Sequence, residues 1–119
     1  CFERALWRID DEKRQKMKQS DIVEKIRKLG YKVTVLTAHP ANRGGIPDTI
    51  ISWNGLAVFL EIKINDDKLS KLQENFRDEF WASWMMLHYD SKTKKYTLIF
   101  VMHSNKKLAY ELDEKLNAI

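Results

Sequence analysis

Apolar positions fall three and four residues apart in three stretches of the chain, and alternate or run together in five others. The first ten-residue run with no apolar stripe, "DDEKRQKMKQ" at 10–19, reads as a solvated helix or an arm. After it, Ile22, Val23, Ile26 and Leu29 share one helical face, with Ser20 or Asp21 available as N-cap and Gly30 at the stop position. "YKVTVLTA" (31–38) alternates with β-branched residues and predicts a strand, which "HPANRGGIP" interrupts with two prolines and two glycines.

"DTIISW" and "LAVFLEIKI" predict two further strands joined by Asn54-Gly55, a turn pair that tolerates positive φ at both central positions. Apolar residues on both faces of the second strand place it at the centre of the sheet. Residues 66–84 carry Leu69, Leu72, Phe76 and Phe80 at helical spacing. "WMMLHYD" and "KYTLIFVMH" predict two more strands around the turn "SKTKK", and "NKKLAYELDEKLNAI" predicts a closing amphipathic helix. The order helix, three strands, helix, two strands, helix is that of an α/β domain with a mixed β-sheet covered by helices. At 119 residues, with no internal repeat and no linker, 1–119 reads as one domain.

Composition changes this picture little. The chain is 44% hydrophobic and 32% charged, as ordinary soluble globular proteins are. It has neither a run of roughly 18 to 20 apolar residues for spanning a membrane nor a signal-peptide pattern, so the expectation is a soluble, intracellular protein without membrane partners. Cys1 is the only cysteine, which excludes an intramolecular disulfide and a cysteine zinc cluster; a start at Cys rather than Met raises the expectation of a fragment of a longer protein. Net charge is +4, with basic runs at 13–18, 92–95 and 106–107 that would attract polyanions, as a merely solvated face would too.

The candidate chemistry lies in "PDTIISWNGLAVFLEIK" (47–63). With Asn54-Gly55 as a two-residue turn, Trp53 pairs with Leu56 and Asp48 falls opposite Glu61, Cβ atoms about 4.5 to 5.5 Å apart on one face, with Lys63 two residues further along it. Two facing carboxylates among Ile50, Ile51, Phe59 and Ile62 repel and lose hydration, so a cation between them is expected. Lys63 alone serves as that partner in a simple ion pair with Glu61; two hard oxygen donors at this distance also suit Mg²⁺ or Mn²⁺.

Gly45-Ile46-Pro47-Asp48 followed by Glu61-Ile62-Lys63 resembles the PD-(D/E)xK motif of the restriction-endonuclease-like superfamily. Leu69-Ser70-Lys71-Leu72-Gln73 is similar to the LSxxQ helix start of VRR-NUC nucleases, and the G-x-P-D form is shared with archaeal-type Holliday junction resolvases. The resemblance covers about residues 20 to 90 and implies an αβββαβ core, here with an extra C-terminal strand and helix. It implies a divalent-metal-dependent endonuclease acting on DNA, with branched, flap or junction substrates preferred. Asp48, Glu61 and the backbone carbonyl of Ile62 would hold Mg²⁺ or Mn²⁺, which would polarise the scissile phosphate and acidify a water. Lys63 would orient that water or stabilise developing charge.

Gln73 either closes a Ser70-x-x-Gln73 capping box or reaches Lys63 or a metal-bound water. Glu24 is the first-helix acid best placed to join the metal, although Asp21-x-x-Glu24 also has capping-box form; Glu3 and Glu12 are further candidates. Arg43 would contact a phosphate, and His39 sits where some viral relatives use a histidine ligand; both loop residues read equally as exposed. His88 and His103 read as half-buried strand residues. The aromatic surplus of Phe76, Phe80, Trp81 and Trp84 with Met85 and Met86 is either core or a patch for a homodimer. The alternatives to a DNA endonuclease are an RNA-cleaving, viral-type endonuclease and a catalytically idle nucleic-acid-binding domain of the same fold.

Overall fold

The structure, a computed structural model, describes residues 17–36 and 44–118. Glu3, Glu12, His39 and Arg43, and most of the polar run at 10–19, lie outside the described residues. Among the described residues, three α-helices and five strands follow the expected order: α1 (Gln19–Lys28), β1 (Lys32–Val35), β2 (Thr49–Trp53), β3 (Leu56–Ile64), α2 (Lys71–Glu79), β4 (Trp84–Asp90), β5 (Lys95–Ile99) and α3 (Lys106–Asn117). Short 3₁₀ turns at Trp81–Ser83 and His103–Asn105 precede β4 and α3.

The sheet has strand order β1-β2-β3-β4-β5, antiparallel except for the parallel pair β3 and β4. Parallel neighbours need a crossover, and the segment carrying α2 supplies it. Between β2 and β3 the chain reverses in two residues: Asn54 has φ 48° and Gly55 φ 80°, as a type I′ turn requires, and Trp53 pairs with Leu56.

Pleating divides the sheet residues between two faces. On one, Ile51, Val58, Leu60, Ile62, Met85, Leu87 and Tyr96 pack against Ile22, Val23 and Ile26 of α1 and Leu108, Leu112 and Leu116 of α3, forming the main core. The other face carries Phe59, Glu61 and Lys63 with Trp84. Here α2 crosses, laying Phe76 edge-on against Phe59 with ring centroids 5.0 Å apart. β3 is therefore covered on both sides, which accounts for its nearly continuous apolar run.

Several local expectations are corrected. The cap of α1 lies two residues before Ser20, at Lys18, with the Asp21 carboxylate accepting the Lys18 N–H at 2.9 Å, so Ser20 and Asp21 lie inside the helix. α2 is nine residues long rather than spanning 66–84, because Ser70 caps its start and the chain must turn at Phe80 to enter β4. Of its apolar stripe only Phe76 is fully buried; Leu72 and Phe80 stay exposed, since α2 rests on the narrow strip of β3 around Phe59. β5 stops at Ile99 because Phe100 takes φ 60°, so His103 is exposed in a 3₁₀ turn and not part of a strand. The aromatic surplus divides: Phe76, Trp84 and Met85 are buried, and Phe80 and Trp81 face solvent. Among the described residues no helix is long and apolar enough to cross a membrane.

Candidate active site

The pairing Thr49↔Leu60 through Trp53↔Leu56 carries the hairpin register, and its next step sets Asp48 against Glu61. The Asp48 carbonyl accepts the Leu36 N–H at 2.7 Å, so the backbone at Asp48 is held as a one-residue extension of the β1–β2 ladder. Counting in twos from the turn, 48/61 is a non-hydrogen-bonded pair, the type in which side chains stand closest. Lys63 shares the face of Glu61.

Glu61 is the centre of the arrangement. It is 6% exposed. Its Oε1 accepts a hydrogen bond from Gln73 Nε2 at 2.9 Å and lies 3.7 Å from Lys63 Nζ. Its Oε2 is buried and has no hydrogen-bond partner among the described residues. Burial pushes the Glu61 carboxyl up to about 6; Lys63 opposes the rise and the Asp48 charge adds to it. Lys63 is buried to a similar degree, whereas Asp48 is exposed and accepts the Thr49 hydroxyl at 3.2 Å.

Gln73 closes the capping box considered for it, and its other contact is with Glu61, not with Lys63. Its Oε1 accepts the Ser70 N–H at 2.8 Å while Ser70 Oγ accepts the Gln73 N–H at 3.2 Å, a closed capping box. The remaining Nε2 is thereby aimed at β3, where it meets Glu61 and not Lys63. The Gly44-Gly45 loop seats against this same helix start. Gly45 has φ 88°, and a Cβ there would collide with the backbone of Leu72 and Gln73.

One contact was not foreseen from the sequence. Gln19 Nε2 donates to the Ile62 carbonyl at 2.9 Å, across 43 positions of chain. Continued two residues past Thr49↔Leu60, the register would bring Pro47 opposite Ile62, and proline has no N–H to extend the ladder, so that carbonyl is left for another donor. Pro47 was the available signal.

Glu24 lines a recess of about 340 Å³ that also includes Gln19, Arg27 and Asp48. Its carboxylate, however, is paired with Arg27 at 2.9 Å and mostly exposed, and it takes no part in a capping box. The structure does not join it to the Asp48–Glu61 pair. His88 is the register partner of Lys63, with its Nε2 2.7 Å from the Asn65 carbonyl oxygen. A larger groove of about 560 Å³ lies between β5 and α3, at the far edge of the sheet, and Asp48, Glu61 and Lys63 do not line it. Among the described residues no three His, Cys, Asp or Glu side chains cluster as a metal site.

The donor set of two carboxylates and a carbonyl nevertheless fits one hard divalent ion, because Mg²⁺ and Mn²⁺ tolerate few protein ligands and complete their shells with water. The buried, unpartnered Glu61 Oε2 is the observation that favours this fit.

The raised Glu61 value has a consequence for stability. The folded chain holds this proton to about pH 6, whereas the unfolded chain releases it near 4.5, so between them the folded state binds more protons. The contribution is full below about 4.5 and disappears as pH rises through about 6. In chelator, the unfolding free energy of the wild type is expected to fall by about 2 kcal/mol across that window relative to Glu61→Gln, which lacks the titration. Parallel pH profiles for the two proteins in urea melts would contradict it.

Comparison of this chain with protein-family models, curated proteins and solved structures finds no match in any of the three.

Proposed function

We propose that this chain is a divalent-metal-dependent nuclease with a restriction-endonuclease-like core, hydrolysing phosphodiester bonds of DNA. The observation that carries the reading is the facing pair Asp48 and Glu61, with Lys63 on the same face and one Glu61 oxygen buried without a partner. The run α1-β1-β2-β3-α2-β4 is also the αβββαβ order that the motif resemblance implies, with β5 and α3 added after it.

Asp48, Glu61 and the Ile62 carbonyl are the residues that would hold Mg²⁺ or Mn²⁺. When bound, such an ion supplies Lewis-acid polarisation of a phosphoryl oxygen and acidifies a water. The remaining work falls to the chain itself. Lys63 is a fixed cation in a nearly water-free position, where its charge acts strongly on a phosphate that gains negative charge. Gln73 holds Glu61 Oε1 from the side of α2, which leaves Oε2 as the oxygen turned to other partners. Exposed Asp48 marks the side from which a large substrate approaches.

The preference for DNA, and for branched, flap or junction forms, rests on the motif resemblance. Incubation with junction, flap, duplex and single-stranded DNA, and with RNA, tests it in Mg²⁺ or Mn²⁺ against chelator. The expected result is metal-dependent cleavage of DNA, greatest on branched forms. Ion binding without cleavage of any substrate would overturn the enzymatic reading, and cleavage of RNA alone would reassign the substrate.

A further inference from the structure

We infer that Gln19 is an affinity-limiting latch on the candidate ion site: its amide takes one of the two lone pairs of the Ile62 carbonyl oxygen and competes with a divalent cation for the electron density of that oxygen. The inference rests on the nuclease reading for the identity of the site and adds a residue that the motif does not contain.

Three observations carry it. Gln19 Nε2 lies 2.9 Å from the Ile62 oxygen. Facing a carbonyl, the amide can present only its NH₂ end, so the orientation is set by the partner. That end is the positive pole of the amide dipole, which opposes a cation at the same oxygen. Second, the oxygen is available because Pro47, which the continued register would bring opposite Ile62, has no N–H, so the carbonyl would otherwise lack a ladder partner. Third, Gln19 lines the recess that Asp48 also lines.

The other nearby polar groups do not substitute for it. Gln73 and Lys63 both engage Glu61 Oε1 and leave Oε2 alone. Glu24 is committed to Arg27. Of these side chains, Gln19 alone hydrogen-bonds an oxygen that the donor set needs.

The test is titration of the full chain with Mn²⁺ at pH 8, without nucleic acid, followed by calorimetry and by the electron paramagnetic resonance signal of free Mn²⁺. Gln19→Met keeps the length of the side chain and removes the donor. A net hydrogen bond of about 0.5–1.5 kcal/mol corresponds to about 2- to 12-fold in affinity, so Gln19→Met is expected to bind Mn²⁺ tighter by that factor. Gln19→Glu replaces the opposing dipole by a ligand and is expected to bind tighter still. Thermal melts in chelator accompany both: a purely structural Gln19 would lower the melting temperature and leave the Mn²⁺ affinity unchanged. Equal or weaker binding by Gln19→Met overturns the latch. Absence of Mn²⁺ binding by wild type and both variants instead overturns the ion site itself, so the two failures are distinguishable.

Discussion

Lys63→Met is expected to lower metal-dependent cleavage by about 100- to 1,000-fold, the usual loss when one preorganised charge-stabilising group is removed from an enclosed site. The size of the effect follows from position. Lys63 is 9% exposed and lies 3.7 Å from Glu61 Oε1, so its charge is poorly screened, and the methionine stem retains most of the packing. A second effect must be separated from the first. Lys63 is what holds the Glu61 carboxyl down against burial and Asp48, and its loss moves that carboxyl further up from about 6. At pH 6 the variant would therefore lose ion affinity as well as chemistry. Single-turnover cleavage at pH 8 and saturating Mn²⁺ isolates the chemical part. Cleavage by Lys63→Met at the wild-type rate under those conditions would remove Lys63 from the mechanism.

The second large effect is expected at Gly45. Both Gly45 and Gly55 adopt positive φ, 88° and 80°, so alanine at either costs about 1–2 kcal/mol in backbone strain. Their surroundings differ. A Cβ on Gly55 meets open space, but one on Gly45 would collide with the Leu72 carbonyl and the Gln73 nitrogen, which belong to a capped helix start and cannot swing aside. Overpacking of this kind adds about 1–3 kcal/mol. Gly45→Ala should thus lose about 2–5 kcal/mol in denaturant unfolding, clearly more than Gly55→Ala. It should also weaken Mn²⁺ binding, because pushing the loop off α2 displaces Asp48 three residues later from Glu61. Equal losses in the two variants, or intact Mn²⁺ binding in a folded Gly45→Ala, would show that this contact does not position the site.

How much of this was legible before the structure depends on how local the cause was. The hairpin was legible because its determinants lie within 17 residues: Asn54-Gly55 selects the turn, the turn selects the register, and a period of two assigns the faces. The central place of β3 was legible because burial on both sides leaves a nearly unbroken apolar run. The reach of α2 was overestimated because Leu69, Leu72, Phe76 and Phe80 satisfy helical spacing regardless of whether there is a surface for them to cover. Only Phe76 found one completely. The cap of α1 was misplaced for a related reason: Ser20 and Asp21 are competent caps, but the helix extends back to Gln19, whose side chain has a partner in β3.

The sequence by itself determined the α/β order of elements, the tight turn and the pairing that brings Asp48 opposite Glu61, because these follow from backbone chirality and side-chain alternation over a short span. Tertiary structure alone decided which of the charged groups the fold encloses. Burial in the fold raises the Glu61 carboxyl, and the crossover of α2 makes Gln73 a partner of that carboxyl as well as a helix cap. The docking of α1 sets Gln19 on the carbonyl that Pro47 leaves open. Such contacts join residues up to 43 positions apart. They depend on how helices lie on the sheet, a property that no local pattern of residues encodes.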